Sequence, residues 1–134
     1  SWPSFYQAYN ADDITDIKPN KVRPIVIDVA CQNGRFDNTG RLGETMMHAS
    51  VGGEGVGAIA YFGGSVDISW DPPAIMAVGI NKSVASKSFS YLGEALLEGH
   101  LYLIKNHSNK EDIRDNLEWY HLQGDPSLLL SQIY

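Results

Sequence analysis

The 134-residue sequence has one cysteine, ten lysines and arginines, and no uninterrupted apolar run of membrane-spanning length. A single cysteine cannot form an internal disulfide, so its thiol is a core residue, an intermolecular bridge or a reactive thiolate. A net charge of −6 disfavours a surface that follows nucleic-acid phosphates. A membrane helix would need roughly 18 consecutive apolar residues. Neither nucleic acid nor a membrane is therefore predicted as a partner.

An initiating methionine and a zinc-binding pattern are also lacking. The sequence begins with serine, which we interpret as the result of processing or excision from a longer chain. The four histidines are widely spaced, without an i, i+4 pair or a second thiol, so zinc is not predicted. A hydrophobic content of 43% over this length predicts one domain, or part of one.

Two apolar runs predict buried strands with a helix between them. "RPIVIDVA", residues 23–30, is β-branched and almost continuously apolar, which is typical of a central strand buried on both faces. "VGAIAYFGG", residues 56–64, is the second such run. "TGRLGETMMHASV", residues 39–51, has apolar residues at helical spacing and is followed by glycines. This order predicts a strand, a helix and a second strand.

The second half of the sequence is mainly of helical type. Pro and Asp in "SVDISWDPP", residues 65–73, predict a loop. The predicted helices that follow cover residues 74–85, 88–108 and 109–122, with Asn109 as the cap of the last. Residues 124–134 predict a turn and then a further strand. Alternating strands and helices favour a three-layer α/β/α sandwich with a mainly parallel sheet.

Cys31 follows the first predicted strand directly. In parallel α/β folds, ligands gather beyond the carboxyl ends of the strands, where the chain turns towards a helix. Gln32, Asn33 and Gly34 are residues that favour such a turn. The local pattern leaves two interpretations open, because free cysteines are often buried in cores: an inert strand-end thiol, or an exposed nucleophile.

The end of the second strand is expected to lie beside Cys31, because a βαβ unit brings neighbouring strand ends together. Glycines there permit the close approach of a substrate backbone, and the loop offers a flat indole and a carboxylate. We take as candidate substrate-binding residues Gly63, Gly64, Ser65, Trp70 and Asp71. The alternative is that the loop holds only a packing tryptophan and a solvated aspartate.

A base that activates the thiol would most naturally be a histidine. His48, His100 and His107 lie on predicted helices and are interpreted as surface or packing residues. His121 lies just before a turn and is the remaining candidate. The sequence pattern identifies none of the four as the base.

Three stretches in order, "IDVACQNGRF", "GAIAYFGGSVDISW" and "WYHLQGDPSLLL", resemble the gingipain-like cysteine peptidases over about residues 22–130. The resemblance implies a caspase-like fold and a protein or peptide substrate. It implies that Cys31 is the nucleophile, which forms a thioester with the substrate. It also implies that the backbone N–H of Cys31 is one donor of the oxyanion hole.

In that family the catalytic histidine belongs to a His-Gly pair at the end of the preceding strand. No histidine occurs in residues 1–30, and the expected position of the pair falls just before Ser1. We therefore expect residues 1–134 to be the C-terminal part of a caspase-like catalytic domain, cleaved or truncated from a longer peptidase. An upstream segment or chain would supply the pair, and this chain alone would be unable to catalyse.

The resemblance further implies that Trp70 flanks the P1 side chain of a substrate, and that Asp71 lies where a carboxylate could select a basic P1 residue. It implies that calcium can be bound, that no cofactor is required, and that the protein is secreted or displayed at the cell surface. Two alternatives remain open from the residues themselves. One is a non-catalytic α/β binding module with a structural Cys31, and the other is a thiol hydrolase that uses His121 as its base.

Overall fold

The computed structural model describes residues 11–14, 16–19, 22–37 and 40–132. The helices in these ranges are α1 (Ala11–Ile14), α2 (Leu42–His48), α3 (Asp71–Ser86), α4 (Leu92–Asn106) and α5 (Lys110–Trp119). The strands are β1 (Ile25–Ile27), β2 (Ser50–Val51), β3 (Glu54–Gly55), β4 (Ala60–Gly64) and β5 (Tyr120–Gln123), and a 3₁₀ helix covers Leu130–Gln132. None of the described helices is long and apolar enough to cross a membrane.

The main sheet has the order β1-β4-β5. β1 runs parallel to β4, with Ile27 opposite Phe62, whereas β5 runs antiparallel to β4, with Tyr120 opposite Gly64. The protein is thus of mixed α/β type, and the prediction of a mainly parallel sheet is not confirmed in the described part of the chain. β5 follows α5 without a connecting loop, so the chain returns along β4 in the opposite direction.

The central strand of the described sheet is β4, and all five of its residues are buried. β1 lies at the sheet edge within the described ranges, is three residues long and is only half-buried. The apolar run at residues 23–30 therefore forms a shorter strand than predicted, and in the sheet of the described residues it is not the central one. It ends at Ile27 because the next residue, Asp28, begins a hydrogen-bonded turn.

Side chains of the sheet pack into two clusters on its opposite faces. Along β4, Phe62 belongs to one cluster and Tyr61 to the other, as expected for residues that alternate between the faces. The larger cluster includes residues from α3 and α4: Ala60, Phe62, Met76, Ile80, Leu92, Ala95, Leu96, Leu103, Tyr120 and Leu130. The smaller includes residues from α1 and α2: Ile14, Met46, Ala58 and Tyr61.

α3 begins earlier than predicted and includes a glycine for a packing reason. The sequence pattern assigns the proline pair to a loop, but Pro72 and Pro73 lie in the first turn of α3, where the missing N–H groups need no helical acceptor. Gly79 is required for packing, because a Cβ there would lie 2.5 Å from Tyr102 Cβ and 3.0 Å from Gly99 Cα of α4. The glycine pair allows α3 and α4 to pack closely.

Other predicted elements also differ from the structure, and the helix predicted for residues 88–108 is the shorter α4. The helix predicted for residues 39–51 is α2 and ends at His48, because Gly52 and Gly53, with φ of 61° and 85°, form the turn of the β2-β3 hairpin. The predicted helix over residues 109–122 ends at Trp119, while its cap is as predicted, since Asn109 accepts a hydrogen bond from Glu111 N. The predicted C-terminal strand is absent from the described residues, which form one bridge and the 3₁₀ helix there.

Candidate active site

Cys31 lies in a turn, residues 31–34, that follows β1 and contacts the segment after β4. Gln32 has a left-handed backbone with φ of 60°, and its N–H donates to Val66 O at 3.0 Å. Gly34 N donates to Gly64 O at 2.9 Å. These two hydrogen bonds hold the turn, here called the Cys31 turn, against the end of the central strand.

The Cys31 side chain is half-buried and its thiol is a free one. The thiol donates a hydrogen bond to Ile68 O, with Sγ 3.5 Å from the oxygen. The backbone N–H of Cys31 has no acceptor among the residues that the structure describes, although the N–H groups of Ala30 and Gln32 on either side are both bonded. The site thus combines a thiol with an adjacent, uncommitted backbone donor.

Asp28 positions the Cys31 turn, a role that the sequence prediction missed. One carboxylate oxygen accepts from Ala30 N at 2.7 Å, and the other accepts from Asn33 Nδ2 at 2.9 Å and from the Tyr61 hydroxyl. Burial raises the pKa of Tyr61, and the hydrogen bond to Asp28 raises it further. The available signal was an aspartate at the end of an apolar strand, three residues before the cysteine.

Replacing Asp28 by asparagine is expected to lower the free energy of unfolding by about 1–3 kcal/mol, because a carboxamide has one acceptor oxygen for three donors. Chemical denaturation measures this change. The thiol should also react faster with a bulky disulfide reagent in the folded protein, since the turn is less firmly held. Asp125→Asn, at an exposed turn that binds Ser127, is the control. Equal stability of Asp28→Asn and wild type would show that Asp28 does not hold the turn.

The structure places the predicted glycines in the contact between the turn and β4. Gly63 and Gly64 are buried, and a Cβ on Gly34 would lie 2.5 Å from Gly63 O. We expected these glycines to let a substrate backbone approach β4 closely. In the structure, the Cys31 turn occupies that position instead. Ser65 follows β4, and its hydroxyl and N–H both donate to Trp119 O, at 3.0 and 2.9 Å.

Trp70 and Asp71 lie at the far end of the loop that begins with Ser65. Trp70 precedes α3 and is 64% exposed, an unusual degree for an indole, and Asp71 is exposed in the first turn of that helix. The loop that carries them binds the Cys31 turn through Val66 O and Ile68 O. The loop therefore lies beside the thiol, as predicted from the positions of the two strand ends.

The loop and the Cys31 turn enclose an open depression of about 470 Å³. It is lined by Gln32, Arg35, Phe36, Asp37, Ser65, Val66 and Asp67. Gln32 Nε2 donates to Asp67 Oδ1 at 2.6 Å, which ties its two sides together. Arg35 forms an ion pair with Asp37 at 2.7 Å. The depression adjoins the Cys31 turn through Gln32.

No histidine in the described part of the chain is hydrogen-bonded to Cys31. His121 lies on β5 opposite Gly63, and its ring meets the edge of Phe36 with ring centres 5.8 Å apart. His48 is exposed at the end of α2. His100 packs against Phe62, and burial lowers its pKa, whereas His107 pairs with Asp112 at 2.9 Å. The structure does not bring a candidate base to the thiol.

A thiol on a turn at the carboxyl end of a parallel strand, beside an N–H that has no acceptor in the described residues, is the arrangement expected of a cysteine-dependent hydrolase of mixed α/β type. The model of peptidase family C25 matches residues 1–131, and the chain belongs to this family of cysteine peptidases. A comparison with curated protein sequences gives no significant match.

Two solved structures are similar to this chain. One is the crystal structure of the Arg-specific cysteine proteinase gingipain R (RgpB), with 25% identity and a TM-score of 0.81. The other is the complex of Porphyromonas gingivalis RgpB pro- and mature domains, with the same identity and TM-score. The matches cover 89% of this chain but only 28% and 29% of those chains. The chain therefore corresponds to less than a third of either relative.

Proposed function

We propose that this chain carries the nucleophile of a cysteine endopeptidase. The Cys31 thiolate attacks the carbonyl carbon of a peptide bond, the C–N bond breaks, and the amine leaves with a proton from a catalytic histidine. Water then hydrolyses the thioester and restores the thiol. Membership of family C25 and the position of Cys31 at the strand end support this assignment.

The observation that carries the proposal is the uncommitted N–H of Cys31. In the first step, negative charge develops on the former carbonyl oxygen, and a fixed N–H beside the nucleophile stabilises it. The neighbouring N–H groups of Ala30, Gln32 and Gly34 are bonded within the chain and hold the turn in place, whereas the N–H of Cys31 has no acceptor among the described residues.

The catalytic histidine is proposed to come from an upstream segment or chain that carries a His-Gly pair. Residues 1–30 contain no histidine, and in the described residues none is bonded to the thiol. The relatives are more than three times as long as the part that matches this chain, so they contain ample further structure. This segment is also proposed to pair with the outer edge of β1, which has no strand beside it in the described residues.

Specificity for a basic P1 residue is proposed from the similarity to Arg-specific gingipain R. The exposed indole of Trp70 is suited to cover the aliphatic part of an arginine or lysine side chain, and Asp71 adds a carboxylate next to it. Gly63 and Gly64 are buried, so they would contribute to substrate binding indirectly, by supporting the Cys31 turn. Ser65 would contribute in the same way, because it directly follows them.

Covalent labelling tests the nucleophile and the specificity together. In a protein that joins this chain to its upstream His-Gly segment, a peptidyl-arginine chloromethyl ketone is expected to alkylate Cys31, as identified by peptide mass spectrometry. The matching leucine reagent should label much more slowly. Absence of labelling would support a non-catalytic module, and rapid labelling without the upstream segment that is lost in His121→Ala would support the alternative hydrolase.

Three wider expectations follow from the family relationship. The protein is proposed to act outside the cell or at its surface and to be released by proteolytic processing, which cell fractionation and N-terminal sequencing would test. Within the described residues, no three His, Cys, Asp or Glu side chains form a group that could hold a metal ion. Calcium binding is proposed from the family relationship alone, and the reaction proposed above uses no metal.

A further inference from the structure

The depression that adjoins the Cys31 turn contains a carboxylate with a free oxygen. Asp67 is exposed on the loop after β4, and its Oδ1 accepts a hydrogen bond from Gln32 Nε2 at 2.6 Å. Its Oδ2 has no hydrogen-bond or ion-pair partner within the described ranges. Because the amide of Gln32 is neutral, this bond orients the carboxylate without cancelling its charge.

The arginine of the depression is already paired with another group. Arg35 donates two hydrogen bonds to the carboxylate of Asp37, at 2.8 and 2.7 Å. The bonding to Asp37 is the main cause that raises the pKa of Arg35, and the charge of Asp67 adds little. The lining residues include one cation and two carboxylates, so the depression has an excess of negative charge.

The depression also has an apolar wall. Phe36 is 66% exposed, and its ring packs edge-to-face against the ring of His121. The side chain of Val66 is partly exposed in the same lining. Such a wall can pack against the methylene groups of a long side chain, and an aromatic face attracts a cation. Together with Asp67, these residues fit the side chain of lysine or arginine.

The position of the depression relative to the thiol indicates which part of a substrate would reach it. The thiol donates to Ile68 O, near the middle of the loop of residues 65–70. Trp70 follows this contact by two residues, whereas the lining residues 65–67 precede it. A substrate with its P1 side chain at Trp70 and its scissile carbonyl at the sulfur would therefore continue towards the depression.

We propose that the depression is a subsite for the leaving-group side of the substrate, and that Asp67 selects a lysine or arginine at P1′ or P2′. The proposal rests on the proposed function, in which Cys31 attacks the bond before P1′. Successive side chains of an extended peptide point in opposite directions, so only one of the two positions should show the preference.

The test uses quenched fluorescent peptides with arginine at P1 and either lysine or alanine at P1′ or at P2′. In the protein joined to its upstream segment, kcat/KM is expected to be about threefold to fivefold higher with lysine at one of these positions, as for one partly exposed ion pair. The preference should weaken at high salt concentration.

The ratio of the lysine to the alanine value is expected to fall to about one in Asp67→Asn. Asparagine can still accept the hydrogen bond from Gln32, but it has no charge. The matched control is Asp125→Asn, which removes an exposed carboxylate that bonds Ser127 in the turn after β5. This control should keep the wild-type ratio, since Asp125 does not line the depression.

Cleavage without a lysine preference at either position would overturn the proposal, and so would a preference that persists in Asp67→Asn. Calorimetric titration of the same peptides into Cys31→Ala measures binding without cleavage. Tighter binding of a lysine peptide that depends on Asp67, in a protein that cleaves none of the peptides, would contradict only the proposed function. Absence of both cleavage and this difference in binding would overturn the subsite as well.

Discussion

Replacing Cys31 by serine is expected to reduce peptidase activity by roughly 10³-fold or more in a protein that includes the upstream segment. A serine hydroxyl is far less acidic than a thiol, and among the described residues no histidine is hydrogen-bonded to position 31 that could deprotonate it. Hydrolysis of a peptidyl-arginine amide measures the loss. Because serine has a similar shape, stability should change little.

The control for this experiment is Ser86→Ala. Its hydroxyl lies at the end of α3, bonds Ser83 O, and has no contact with the Cys31 turn. The control should retain wild-type activity. Activity in Cys31→Ser close to that of wild type would refute the assignment of Cys31 as the nucleophile, and would favour a structural cysteine.

Replacing Gly34 by alanine is expected to lower the free energy of unfolding by about 3 kcal/mol, since the new methyl group would overlap backbone. Its Cβ would lie 2.5 Å from Gly63 O and 2.6 Å from Gly63 C. Backbone atoms of the central strand cannot move aside as the end of a flexible side chain can. The turn must therefore separate from β4, which displaces Cys31. Chemical denaturation and the labelling assay measure the two effects.

The matched control is Gly52→Ala in the β2-β3 turn. Gly52 has a left-handed backbone, and a Cβ added there would have no described atom within 4 Å, so only local backbone strain of about 1 kcal/mol is expected. Labelling of Cys31 should be unaffected. If Gly34→Ala were no less stable than Gly52→Ala and were labelled as fast as wild type, the close packing of the turn on β4 would be unimportant.

The location of the candidate site could be predicted from local pattern and a general rule. The apolar run before Cys31 and the turn-forming residues after it indicate a strand end, and neighbouring strand ends share one edge of a sheet. The partners of the site could not be predicted in this way. Asp28 reaches Tyr61, which is 33 residues away, and Gln123 of β5 donates a hydrogen bond to Gly34 O of the Cys31 turn. A single sequence contains no signal that identifies which distant residues come into contact.

By itself, the sequence determined the mixed α/β character, the buried strand β4, the long helices α3 and α4, and the cap at Asn109, because these have strong local signals. Only the tertiary structure decided that residues 120–123 form a strand and run antiparallel to β4. Local helical preference is a small energy per residue, and pairing with a fully buried strand outweighs it. Likewise, Gly34 and Gly63 can each adopt many backbone conformations. The position of the thiol depends on the contact between them, which only the tertiary structure shows.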